Sequence, residues 1–265
     1  MRSLVWSVVA ALCVVAMAWG ALGDIVASYR APSTYPLAAA RANNAAYMWM
    51  YCNSSPYNVW RIHASTGSVY GSYVKHGSAT RGMAYSYGGA PGGSYLWIAN
   101  YSTDYVHMCD YSTGSTYRSW SAGGHDPYGL APEATADGGY NPQSIISTDT
   151  SPTYTWRHVP TTGSIMGSFS HGGTYAYDCA WDWRNKLVWG GYGSPGVVRG
   201  WTTSGSVFAS FTVPNTYPYA ITYHGQYLFI GCTIPNHYCY VVHCPILPGS
   251  GIAPSSVGKV KALFH

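Results

Sequence analysis

The sequence predicts an all-β fold: a five-bladed β-propeller of four-stranded blades, with the N- and C-terminal strands both near the closing blade. Three observations lead there. Charged residues make up only 8% of the 265-residue chain, while Gly (31), Tyr (26), Pro (16) and Trp (11) are abundant, a composition suited to short strands and tight turns. A small residue followed by an aromatic recurs at Ser28-Tyr29, Ser72-Tyr73, Ser119-Trp120, Ser168-Phe169 and Ser210-Phe211, at spacings of 44, 47, 49 and 42 residues. Other columns keep the same register, which separates a true repeat from a favoured turn.

Each unit starts with a small-residue-rich strand at a turn: YPLAAA, TRGMAY, PYGLAP, AYDCAW and PYAITY. This is the innermost strand, where blades crowd around a central channel and Ala and Gly fit best. A second strand follows, rich in aromatic and aliphatic residues, around Trp49, Trp97, Ile146, Trp189 and Phe229; it packs blade against blade. The third strand reads NVWRIH, YVHMCD, YTWRHV, GVVRGW or YCYVVHC. A turn containing Gly67, Gly114, Gly163, Gly205 or Gly249 then leads into the outer strand, its glycine supplying a positive φ. Four short strands in about 40–50 residues make a propeller blade. The units run over about 30–73, 74–120, 121–169, 170–211 and 212–265. The third is expected to be the least regular, because EATADGGYNPQ interrupts it.

The outer-strand phrase is written six times: DIVASY at 24–29 and GKVKALF at 258–264 both match GSVFASF at 205–211. Five blades need five outer strands, so one terminal copy closes the ring and the other is spare. The spare copy is expected as an edge strand on the same blade or as a link to another copy of the chain.

Residues 82–120, GMAYSYGGAPGGSYLWIANYSTDYVHMCDYSTGSTYRSW, resemble a unit of the NHL and YVTN type of secreted bacterial propeller. The resemblance extends over the chain at repeat level and is weakest in 121–163. It implies the fold and no single activity, since such repeats serve scaffolds, ligand binders and some enzymes.

The N-terminus reads as an export signal. Arg2 precedes an apolar run from Leu4 to Ala18, and Ala21 and Gly23 suit a cleavage site, giving a signal peptide at 1–23 and a mature start at Asp24. No other segment is long and apolar enough to span a membrane. The formal charge of +4 comes from scattered basic residues, not from a stripe, so nucleic acid is not an expected partner. Export leaves six cysteines in a compartment where disulfides persist, and Cys232 with Cys239, across a short hairpin loop, is the expected pair. The histidines are dispersed and no C-x-x-C occurs, so neither a metal site nor a cofactor is expected.

Two kinds of site are weighed. Five-bladed glycoside hydrolases need carboxylates facing each other across the channel, and the inner strands supply Glu133, Asp178 and Asp182, with Asp126 in a preceding loop. Glu133 and Asp182 fall in matching columns of adjacent units. Their column is otherwise Ala42, Ser86 and His224, and no nucleophile elbow occurs, so catalytic residues are not assigned and the expectation is a non-enzyme. Ligand binding is the stronger reading. Tyr35, Arg81, Asp126, Tyr128, Tyr175, Tyr177, Tyr217 and Tyr219 lie at or just before the starts of inner strands, where they would ring one channel mouth. Tyrosine pairs a flat apolar face with a hydroxyl, which suits a sugar ring. The expected role is extracellular recognition or assembly, with a lectin-like propeller as the main alternative; the partners are other copies of the chain, or extracellular protein or glycan.

Overall fold

The computed structural model describes residues 21–41, 46–53, 58–74, 79–88, 92–149, 154–171 and 176–245. Twenty strands form five antiparallel four-stranded sheets, and the only helical element among these residues is a 3-10 turn at Asp137–Gly139. Strand β1 (Ile25–Arg30) comes first but belongs to the last blade. Blade 1 is β2 (Pro36–Arg41), β3 (Tyr47–Cys52), β4 (Asn58–His63) and β5 (Val69–Val74). Blade 2 is β6 (Thr80–Tyr87), β7 (Ser94–Asn100), β8 (Tyr105–Asp110) and β9 (Thr116–Ser121). Blade 3 is β10 (Gly129–Glu133), β11 (Ser144–Thr148), β12 (Tyr154–His158) and β13 (Ile165–Ser170). Blade 4 is β14 (Cys179–Asp182), β15 (Leu187–Gly191), β16 (Val197–Thr202) and β17 (Val207–Thr212). Blade 5 is β18 (Thr216–His224), β19 (Tyr227–Ile234) and β20 (Tyr238–His243), completed by β1.

The N-terminal copy of the outer-strand phrase therefore closes the ring, with Ser28 opposite Tyr240 and Tyr29 opposite Cys239. The Gly23 N–H bonds the His243 carbonyl at 3.1 Å, and Leu22 packs on the core between blades 4 and 5. The C-terminal copy and Gly249 lie outside the described residues. No helix among those described is long and apolar enough to cross a membrane.

The turn glycines have a second reason to be glycine. Gly67, Gly114, Gly163 and Gly205 all take φ between 73° and 88°, a region hostile to L-residues. At three of these turns the outer strand of the preceding blade also crowds the space of a Cβ. A Cβ on Gly163 would sit 2.5 Å from the Trp120 ring; one on Gly67 would strike Tyr29, and one on Gly205 the backbone of Ser170 beside Phe169. Gly23 repeats the arrangement under Phe211. The Ser-aromatic and Thr-Gly phrases are thus two halves of one contact between neighbouring blades.

Inner strands crowd as composition requires. A Cβ on Gly82 would meet the backbone of Tyr128 and Leu130 within 2.8 Å. The core lies between blades, with Trp97, Trp189 and Trp201 almost fully buried. Of the three blades whose second strand carries a tryptophan, blades 2 and 4 offer its indole an acceptor at the end of the inner strand: Trp97 donates to Ser86 Oγ at 2.7 Å and Trp189 to Asp182 Oδ2 at 3.2 Å, whereas the Trp49 indole of blade 1 has none among the described residues.

Every outer strand breaks register after its first residue. Val26, Tyr70, Tyr117, Met166 and Phe208 are each skipped in the pairing and exposed. A bulge at this place twists the free edge and makes it a poor template for another strand.

The expected Cys232–Cys239 disulfide is absent: the six described cysteines are free and buried. Cys239 pairs with Gly231 across the hairpin, and side chains alternate along a strand. Cys232 thus faces blade 4 while Cys239 faces blade 1, as their separate core clusters show.

Candidate functional site: the tyrosine and arginine mouth

Antiparallel blades bring two sets of loops to each end of the channel. The connection from outer to inner strand and that from second to third strand share one end. There Arg81, Tyr128, Tyr177 and Tyr219 occupy one column of the repeat, near the starts of four inner strands. Tyr177 and Tyr219 meet edge to face at 4.1 Å, Tyr217 lies 5.5 Å from Tyr219, and Tyr128 lies 6.3 Å from Tyr177. The Arg81 guanidinium sits over two rings, 5.1 Å from the centre of Tyr101 and 5.9 Å from that of Tyr128, a cation–π arrangement. Burial raises the Tyr219 and Tyr128 hydroxyl pKa values, the Tyr177 phenol adds to the rise at Tyr219, and the Arg81 charge opposes it at both. These phenols stay protonated, and that of Tyr219 is hydrogen-bonded to Tyr177.

Of the sequence-chosen residues, the structure thus joins Arg81, Tyr128, Tyr177, Tyr217 and Tyr219. Asp126 lies close enough to Tyr128 to raise its pKa. The Asp126 pKa is itself raised, by burial and then by a hydrogen bond and charge repulsion from Asp104, so the two carboxyls engage each other. Tyr35 stands apart, half-exposed on His237, with ring centres 5.1 Å apart and its N–H on His237 Nδ1 at 3.3 Å. Tyr175 lies outside the described residues. Tyr101 and Asp104 were missed because they belong to the second-to-third-strand connection of blade 2. Strand alternation alone was the signal that would have placed that loop at the same mouth.

Below the mouth the channel is closed by Asp178. Its Oδ2 accepts the N–H groups of Ala39 at 3.2 Å and Ile221 at 3.0 Å, and its Oδ1 those of Cys179 at 3.0 Å and Leu130 at 3.4 Å. These four residues occupy one column of the repeat in blades 1, 5, 4 and 3. The preceding column is Ala38, Gly82, Gly129 and Ala220, small enough to leave the axis to one carboxyl. Burial pushes the Asp178 pKa well above the ordinary carboxylate range, and the four N–H groups pull against that. Asp178 is a hub between blades.

The other two inner-strand carboxylates do not face each other. Glu133 accepts two bonds from the Arg157 guanidinium, both 2.8 Å, and one from Ser144. Asp182 accepts the N–H groups of Arg184 and Asn185, the Asn185 side chain and the Trp189 indole. At this far end residues 134–143 fold across the channel: Asp137 Oδ1 accepts from Gly225 at 2.9 Å, and Trp181 donates to the Ala134 carbonyl at 2.8 Å. A small cavity remains beneath, lined by Arg41, Tyr85, Trp181 and Thr222. Burial depresses His224 to about 4, aided by the Arg41 charge. Among the described residues no group of three or more His, Cys, Asp or Glu side chains is placed to hold a metal.

No protein-family model matches the chain and no curated protein matches it in sequence, so the likeness to NHL and YVTN units stays at the level of motif. Among solved structures it is similar to a glutaminyl cyclase from Myxococcus xanthus, at 11% identity and a TM-score of 0.62, over 83% of this chain and 95% of that one. A hydrazine synthase from Kuenenia stuttgartiensis aligns at 14% identity and a TM-score of 0.49, over 77% of this chain and 57% of that one. The former defines the class, a five-bladed β-propeller. It also corrects the expectation of a non-enzyme: the same fold carries a named enzyme, so nothing in the architecture speaks against catalysis.

Proposed function

We propose that the protein is an exported recognition propeller that binds a saccharide at the tyrosine and arginine mouth. The observation that carries this reading is the contiguous run Tyr101, Arg81, Tyr128, Tyr177, Tyr219 and Tyr217, in which aromatic faces and protonated phenols share one rim. Flat faces cover the C–H side of a pyranose while hydroxyls bond its edge. The closed channel beneath makes this a cup and not a pore. The bulged outer edges favour recognition over strand-mediated assembly. A glycan array with the full chain tests the reading, followed by Tyr219→Ala and Tyr128→Ala on any hit. Binding weakened at least tenfold by both variants supports it; an array without binding, or a hit indifferent to both, overturns it.

A further inference from the structure

We propose that the saccharide bound at the mouth is acidic, and that Arg81 reads its carboxylate. This rests on the preceding reading of the mouth as a saccharide site. Arg157 is paired with Glu133, whereas no carboxylate among the described residues forms an ion pair with Arg81. The Arg81 Nε is buried without a hydrogen-bond partner. Two rings, their centres 5.2 Å apart, lie to one side of the guanidinium, and the carboxyls of Asp126 and Asp104, on the loops that carry Tyr128 and Tyr101, engage each other.

A guanidinium held against rings on one side keeps N–H groups for a ligand on the other, and their fork matches the two oxygens of a carboxylate. A partly desolvated cation without a counter-charge costs free energy in the free protein, so an anionic ligand gains most at this point. A sugar ring laid over Tyr177 and Tyr219, 4.1 Å apart, brings a substituent carboxylate toward blade 2, where Arg81 stands. Neighbouring phenols then serve the ring hydroxyls. A hydrogen-bonded charge pair of this kind changes affinity by roughly tenfold to a hundredfold.

Calorimetry with the full chain provides the test, using trigalacturonic acid, the same trisaccharide with its carboxyls reduced to alcohols, and a sulfated trisaccharide. The acidic ligand is expected to bind at least tenfold more tightly than the reduced one. Arg81→Gln, checked for an unchanged melt, is expected to abolish that preference while leaving weak binding of the reduced ligand. If acidic and reduced trisaccharides bind equally to the wild type, the carboxylate inference falls and the saccharide reading stands. Equal binding of the sulfated ligand also overturns it, because a planar carboxylate is then not what is read. If none of the three binds and the glycan array is blank as well, the saccharide reading itself is overturned.

Discussion

Replacing Asp178 by Asn keeps the shape of the side chain and removes its ability to accept hydrogen bonds on both ends. The wild-type carboxyl accepts four backbone N–H groups, two on each oxygen, from four inner strands. In the Asp178→Asn variant one end becomes an NH2 group that faces two N–H groups and bonds neither. Each orphaned buried donor costs about 1–3 kcal/mol, so the gross loss is about 2–6 kcal/mol. Relief from burying a carboxyl offsets part of this, leaving an expected loss of about 3 kcal/mol. For a chain of this size that lowers Tm by roughly 6–12 °C, measurable by calorimetry or by a shift of the urea midpoint at unchanged slope. Should Asp178→Asn melt at or above the wild-type temperature, desolvation outweighs the four bonds and the hub reasoning is wrong.

Other outcomes follow from the same contacts. Burial depresses His125 to about 4, helped by the neighbouring His158, and His224 to the same range. Protonating either is easier in the unfolded chain, so the stability each lends is complete above about pH 6.5 and is lost as pH falls toward 4. At pH 5 the loss is on the order of 2 kcal/mol per histidine, which urea melts at pH 7 and 5 should show, with His125→Gln flattening the difference. Gly163→Ala places a Cβ at φ 74° and 2.5 Å from the Trp120 ring, so a loss of about 2 kcal/mol or more is expected; an unchanged urea midpoint would count against the interlocking of phrases between blades. Arg157→Ala leaves Glu133 buried without its cation and should cost about 3 kcal/mol, with Glu133→Gln in the same background restoring part of it. Finally, Leu22 and Gly23 belong to the closing contact, whereas the sequence reading cuts before Asp24. If the proposed export holds, N-terminal sequencing of the mature protein is expected to find a start at or before Leu22, and a start at Asp24 would show the closure to be dispensable.

The repeat columns made the fold legible. Spacing of the Ser-aromatic pairs set the number of blades, and the alternation of Ala and Gly with Trp and Leu ordered the strands. The reason for the Thr-Gly phrase was only half legible: a positive φ follows from the turn, but Tyr29 over Gly67 and Trp120 over Gly163 are contacts between units. Asp178 was read as one of several candidate acids because a sequence does not show that four N–H groups in matching columns converge on the axis. Cys232 and Cys239 looked adjacent across a short loop, and one residue of strand parity put them on opposite faces. At the mouth, the residues heading inner strands were found. Tyr101 escaped because it sits a full hairpin beyond Arg81 in the chain and comes beside it only when the sheet alternates.

A carboxyl group is a ruler of fixed length. Its two oxygens are held at one separation by the carbon between them, and from the axis they reach inner strands at 3.0–3.4 Å on several sides. Propellers range over about 4–8 blades, and each added blade pushes the inner strands outward. In a larger ring the same side chain would reach one flank and leave the other dry and unbonded. Asp178 thus ties blades 1, 3 and 5 to its own blade 4 at the inner-strand spacing of this ring. In a chain built of repeated units, one residue outside the repeat pattern sets how closely four of the five inner strands approach the axis.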